Sequence, residues 1–278
     1  NKVLFWSSFS VIPLSLLGHR ILLLTDALVG ITWWPRRALP KVIMGIGGWT
    51  VGWLVLLFAD RIVTYHPQPP HILRLLRIAK KTQVIPSGID PSHFRDHSPD
   101  TKEKVTITYT GRLESVKGVD DFLHAVAPLK KEYSNLHIQV VGWFADPHPL
   151  VQEFDRDVVF TGLRNDIPAI LQDTDIFILP SHSEGLSNSL MEAMASCCAC
   201  IATDVGGNRF LIQNGVSGFL FPPGDREALK AHVKRLFDDP AKRRMMGEAA
   251  RKRINAMFSW EVVGKKYKKL FDELIIEN

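Results

Sequence analysis

The chain has 278 residues, 46% of them hydrophobic and 23% charged, a balance that excludes disorder and leaves room for one large core or two modest ones. Lys and Arg number 34 against 29 Asp and Glu, a net charge of +5. That mild excess suits anionic small molecules or an anionic lipid surface. Without a basic stripe interleaved with aromatics it argues against a nucleic-acid partner.

The first residue is Asn1, and no charged leader with a small-residue cleavage site follows, so the expectation is a chain whose natural beginning is absent. Residues 1–82 read as one partial domain. They hold two apolar strands, Ile21 to Leu24 and Arg61 to Thr64, the second followed by His66-Pro67 and a Pro-rich turn at Gln68 to Pro70. Between them Val42 to Ala59 runs uncharged, flanked by Arg36, Arg37 and Lys41 before it and by Asp60 and Arg61 after it. Its length just reaches that of a membrane span, and basic flanks fit an interfacial anchor. Gly45, Gly47, Gly48 and Gly52 fit a tightly packed core helix, so a buried helix is the first expectation, a membrane-dipping surface the second and a span the third.

Residues 83–258 read as a second domain. From Lys104 the pattern is strand then helix, repeated: Val105 to Tyr109 and Val119 to Lys131; Leu136 to Val141 and Pro149 to Phe154; Val158 to Thr161 and Ile167 to Gln172. Asp175 to Leu179 precedes the helix carrying Glu192, and Cys200 to Thr203 precedes Asn208 to Asn214. Short continuous apolar strands, each followed by a helix, predict an α/β domain with a doubly wound parallel sheet, whose ligands bind at the carboxyl ends of the strands. Helices over Asp225 to Phe237 and Pro240 to Met257 follow. Residues 259–278 form a final basic amphipathic helix, expected to pack back toward the amino-terminal domain, with Lys265, Lys266, Lys268 and Lys269 as its solvated face.

Cys197, Cys198 and Cys200 lie too close together for a long-loop staple, which argues for a reducing compartment. They read as small buried residues at a helix end and strand start rather than as a metal or redox site.

Glu184 and Glu192 bracket a stretch that follows the apolar run Ile176 to Pro180. A helix starting there leaves the backbone N–H groups of Gly185, Leu186 and Ser187 at its positive end, a place for a diphosphate. Ionised carboxylates accept only, and so suit hydroxyl-rich sugars. Ser187 and Asn188 stand where helix caps are wanted.

Several motifs then occur in order: Val84-Ile-Pro-Ser-Gly-Ile-Asp90; Tyr109-Thr-Gly-Arg112 with Lys117-Gly118; Phe160-Thr-Gly162 with Asp166; Ser181 with Glu184 to Glu192; Asp204-Val-Gly-Gly207; and Gly218-Phe-Leu-Phe-Pro-Pro-Gly-Asp225. From Val84 to its end the chain resembles the retaining glycosyltransferases of family 4. The resemblance implies the GT-B fold, two Rossmann-like doubly wound domains, here with the amino-terminal, acceptor-side one incomplete and the nucleotide-sugar domain complete. It implies Arg112, Lys117 and Glu184 as the catalytic residues. Arg112 and Lys117 would converge on the pyrophosphate as a fork and a point charge, in place of a divalent metal. It implies Gly111, Gly162, Leu163, Gly185, Leu186, Ser187 and Glu192 as substrate-binding residues, Glu192 on the ribose and the backbone after Phe160 on the nucleobase. Asn165 or Asp166 reads as an ordinary N-cap.

Three departures stand out. Cys197 and Ala199 replace the Gly and Pro usual in the family, changes expected to be tolerated. Phe210 replaces a usual Glu. No Gly-rich loop precedes Ile21, and Thr25-Asp26 stands where a His is common, leaving Asp26 as a stand-in on the acceptor side.

The resemblance thus implies a metal-independent retaining hexosyltransferase without a cofactor, moving sugar from a UDP- or GDP-linked donor to a glycan or lipid-linked acceptor by front-face displacement. The expected location is cytoplasmic, with peripheral contact at the cytoplasmic membrane face left open. The alternatives are a nucleotide-sugar epimerase of the same fold and a nucleotide-sugar-binding fragment without turnover.

Overall fold

The computed structural model describes residues 11–25, 38–94, 104–145 and 147–276. Asp26, Arg36 and Arg37 lie outside the described residues. Two compact units are formed, one of Asn1–Ser87 with Val263–Asn278 and one of Gly88–Val262.

In the first unit, residues 11–16 are helical (α1). A three-stranded parallel sheet follows, in the order β1 (Leu22–Thr25), β2 (Arg61–Thr64), β3 (Thr82–Val84), with the short helix α4 (Pro70–Leu75) between β2 and β3 in the chain. Neighbouring residues of β2 point to opposite faces, as strand pleating requires. Ile62 packs with Leu56, Ala59, Leu76 and Ile78, while Val63 packs with Ile85, Val263, Leu270 and Leu274. The last three come from the long closing helix α12 (Trp260–Ile276), at helical spacing, and its lysines 265, 266, 268 and 269 are exposed.

The uncharged segment departs from expectation. It is helical throughout, as α2 (Ala38–Gly47), a π-helical turn (Gly48–Gly52) and α3 (Trp53–Phe58). It is not a buried helix: Leu39, Val42, Ile43, Ile46, Trp49, Val51 and Leu54 are exposed, and the buried side chains Val55 and Leu56 lie at its far end. A three-stranded sheet offers too little surface to cover a helix that is apolar on every side. No helix among the described residues is long and apolar enough to cross a membrane.

The second unit is a six-stranded parallel sheet in the order β6-β5-β4-β7-β8-β9. The strands are β4 (Val105–Thr110), β5 (Leu136–Val141), β6 (Val159–Gly162), β7 (Ile176–Leu179), β8 (Ala199–Thr203) and β9 (Phe219–Phe221). α5 (Val119–Val126) follows β4, α6 (Pro149–Phe154) follows β5 and α7 (Ile167–Gln172) follows β6. α8 (Asn188–Ala195) follows β7 and the short α9 (Asn208–Leu211) follows β8. α10 (Arg226–Phe237) and α11 (Pro240–Met257) complete the layers, their first turns capped by the Asp225 and Asp239 carboxylates. All six residues of β4 are buried, and Ile107, Tyr109, Phe122, Ile138, Ile176 and Ile201 share one core. α5 gives way to a 3-10 segment at Ala127, short of the expected Lys131, because Pro128 has no N–H to continue the α ladder.

The strand order reverses between β4 and β7. A doubly wound sheet opens a crevice at the carboxyl ends of the two strands flanking such a switch point.

Candidate active site

β4 leaves the sheet at Tyr109-Thr110-Gly111-Arg112. The Tyr109 ring is fully buried and its hydroxyl donates to the Arg112 carbonyl at 2.9 Å. Burial pushes this phenol well up, so it stays a neutral strut. The Arg112 guanidinium projects outward and meets Glu114 at 2.9 Å. Lys117 ends the following 3-10 turn, and its ammonium sits 2.7 Å from Glu184 Oε1.

Two loops meet to make that pair. Gly118 takes the left-handed conformation at φ +64°, and a Cβ there would lie 2.1 Å from the Pro180 carbonyl. The His182 amide donates to Val116 O at 2.9 Å, and the His182 ring meets Asp121 at 3.0 Å. Arg226, opening α10, holds Asp121 at 2.8 Å and Asp120 at 2.6 Å. From the other side, a Cβ on Gly206 would lie 1.9 Å from Glu184 O, and the Gly207 amide donates to Gly185 O at 2.9 Å. The diglycine is the backbone surface on which the Glu184 loop rests.

α8 then starts at Asn188, capped by Ser187 Oγ, which accepts from the Leu190 amide at 3.3 Å. Ser187 is therefore the cap and Asn188 is not. One turn further, Glu192 is half-buried, and no described hydrogen bond or ion pair engages its carboxylate. Desolvation alone raises its pKa.

A cavity of about 480 Å³ opens at these strand ends. Of the residues singled out from the sequence, Gly111, Arg112, Lys117, Leu163 and Glu192 line it. Glu184 is tied to it through Lys117. Gly162, Gly185, Leu186 and Ser187 are not among its walls, Leu186 and Ser187 being buried behind. Asp166 stands at the N-cap of α7, but its carboxylate grips the Arg164 guanidinium, with Nε 2.7 Å from Oδ1, instead of a backbone amide.

Sequence reasoning passed over Trp143 and Asn188 as cavity walls, Glu114 as the partner of Arg112, and the Asp121–His182–Arg226 network. Glu114 was visible as an acid two residues beyond Arg112. The network joins segments far apart in sequence and had no local signal. Among the described residues no three His, Cys, Asp or Glu side chains are grouped to hold a metal ion. Cys198 and Cys200 are buried, and burial pushes both thiols up.

The departures have physical counterparts. Cys197 sits at φ +60°, a left-handed conformation that the Gly expected from the resemblance would adopt without strain. Phe210 packs edge-on against Phe258 at 5.3 Å, so an apolar contact occupies the place of an acid.

Cations at the end of the strand on one side of the switch point, and a carboxylate on the helix after the strand on the other, stand where doubly wound α/β domains bind their ligands. The profile of the family described as Glycosyl transferases group 1 matches residues 91–253, and the chain belongs to that family. A glycogen synthase of Mycobacterium tuberculosis is 29% identical over 189 residues, 65% of this chain and 45% of the relative. The UDP-Gal:alpha-D-GlcNAc-diphosphoundecaprenol alpha-1,3-galactosyltransferase of Escherichia coli is 27% identical over 247 residues, 81% of this chain and 64% of the relative. The chain thus spans about half to two thirds of the length of the curated relatives it matches. Anabaena HepE, solved in complex with UDP and glucose, superimposes with a TM-score of 0.77 at 17% identity, over 95% of this chain and 74% of that one. The fold is that of the GT-B glycosyltransferases.

Proposed function

We propose that the protein is a metal-independent retaining glycosyltransferase that moves a sugar from a UDP- or GDP-linked donor to a glycan or lipid-linked acceptor. The observation that carries this reading is Glu192, a half-buried carboxylate without a described partner, facing the cavity that Arg112 and Lys117 also line. Such a group is desolvated at a cost unless a ligand donates to it, and ribose hydroxyls are donors. Arg112 and Lys117 then stabilise the leaving diphosphate, and Glu184 holds Lys117 in place.

In this reading the acceptor hydroxyl attacks the anomeric carbon on the face the diphosphate leaves. The carbon–oxygen bond breaks toward the phosphate, whose oxygen takes the acceptor proton. Positioned charge does the work, and no protein nucleophile is needed.

A lipid-linked acceptor at a membrane surface is favoured by one further observation, the exposed apolar residues of α2, the π-helical turn and α3. The E. coli relative is named for such an acceptor.

Incubating the protein with UDP- and GDP-sugars and a panel of glycan and polyprenyl-linked acceptors, with chelator present, tests the reading. Transfer with retained anomeric configuration is expected. Nucleotide binding that vanishes on chelation would overturn metal independence. Binding without transfer to any acceptor would favour the non-catalytic alternative, and interconversion of the donor sugar the epimerase.

A further inference from the structure

A nucleotide has three parts, and the charged residues of the cavity account for two. The third, a flat and largely apolar base, needs a wall without charge. Two large apolar side chains stand exposed at the cavity: Trp143, at 54% of its full accessibility, and Leu163, at 74%.

They are neighbours by construction. Val141 pairs with Gly162 in the β5–β6 ladder, and the Gly142 amide donates to Gly162 O at 2.9 Å. Trp143 and Leu163 therefore leave adjacent strands at the same level. The Trp143 carbonyl accepts from the Leu113 amide at 3.1 Å, which fixes the loop that carries the indole to the one that carries Arg112. Beyond Leu163, Ile167 opens α7, and α7 packs against α8, the helix of Glu192. The apolar wall thus adjoins the carboxylate assigned to ribose. Arg164, the nearest cation in sequence to this wall, is already held by Asp166.

We infer that Trp143 is a donor-binding residue, its indole stacking on the nucleobase while Leu163 closes the opposite side. The inference rests on the nucleotide-sugar reading of the cavity. Stacking on an indole is nearly indifferent to base edges, so this wall would take a purine or a pyrimidine, and discrimination would fall to the backbone groups around it.

The test uses UDP, GDP and inorganic pyrophosphate with the whole chain and two variants. Trp143→Ala is expected to weaken UDP and GDP about tenfold or more, the usual worth of one base stack, while leaving pyrophosphate unchanged. Trp143→Phe keeps a ring and is expected to restore most of the affinity. It should also lose the fluorescence quenching that the nucleotides, and not pyrophosphate, cause in the unsubstituted protein. Equal nucleotide affinity in Trp143→Ala and the unsubstituted protein would overturn the inference while leaving the nucleotide site standing. Equal weakening of pyrophosphate and nucleotides would make Trp143 a structural residue. Failure of the unsubstituted protein to bind either nucleotide would overturn the inference and the reading beneath it together.

Discussion

Arg112 and Glu114 face each other at 2.9 Å across a single intervening residue, so the guanidinium assigned to the donor diphosphate is already occupied by a carboxylate. A diphosphate must displace or share that partner, and Glu114 also repels it directly. Both side chains are substantially exposed, so the competition is modest.

Glu114→Gln is therefore expected to tighten nucleoside diphosphate binding by about two- to fivefold at low salt, an exposed pair being worth up to about 1 kcal/mol. The gain should shrink as salt screens the charges. Calorimetry at two ionic strengths measures it; unchanged or weaker binding at low salt would mean that Glu114 orients Arg112 and does not compete for it.

Glu192→Gln separates ligand binding from stability. Loss of one charge-assisted bond to ribose should cost roughly 1.5–3 kcal/mol of nucleotide affinity. Stability should move the other way. The native pKa of Glu192 lies above its unfolded value because burial penalises the charged form. Below the unfolded value of about 4.3 both states are protonated and nothing is lost. As pH rises from there through the native value, the unfolded state releases its proton more readily and the folded protein loses stability. The ligand-free variant should melt with the parent near pH 3.5 to 4 and above it at pH 7, as thermal melts at both values would show. A lower melting temperature at pH 7 with intact affinity would make Glu192 a structural helix residue.

Much of the second unit was legible because its signals are local. α6, α7 and α11 begin and end at the residues expected, each opening with Pro at its first or second position, where a missing N–H costs nothing. β3 and β9 went unassigned because three residues are too few to show a period. The site was legible where a motif is contiguous, as from Glu184 to Glu192. It was not legible where partners are distant, as with Asp121 and Arg226, 105 residues apart. Composition marked Val42 to Ala59 as apolar, but how much of a helix is covered depends on the sheet beneath it. Side-chain capping likewise fell to Ser187 because its backbone is extended at φ −77°, ψ 116°, one residue before the helix begins.

Cys197 is expected to be replaceable at a gain. It holds φ +60° between α8 and β8, and a Cβ on Gly247 would lie 1.9 Å from its carbonyl, so the backbone there has no room to relax. A left-handed non-glycine residue costs about 1–2 kcal/mol, and glycine returns about 0.5–1 kcal/mol of that as unfolded-chain entropy. Cys197→Gly should stabilise by roughly 0.5–1 kcal/mol in urea melts, with nucleotide affinity unchanged. Destabilisation would show that contacts of the Cys197 side chain outweigh its backbone conformation.

The Asp121 carboxylate joins three segments of the second unit. It meets His182 at 3.0 Å in the loop that leads to Glu184 and Arg226 at 2.8 Å at the start of α10, and it lies four residues beyond Lys117. It is mostly buried, and the Arg226 guanidinium compensates its charge. Asp121→Asn keeps the shape but offers Arg226 and His182 a neutral oxygen and an amide that cannot accept from both. Losing charge-assisted bonds of this kind should cost about 1–2 kcal/mol of stability, the low end because Arg226 keeps Asp120 and is partly exposed. Function should suffer more than stability, since the same contact sets where Glu184 holds Lys117 and therefore where the cation meets the leaving diphosphate. Lower kcat with donor KM changed less would follow if Lys117 acts mainly on the departing charge. Kinetics of Asp121→Asn beside Asp120→Asn, which leaves the His182 contact intact, checks this. Equal kcat losses in the two variants would show that the clamp braces α5 and α10 without positioning the Lys117–Glu184 pair.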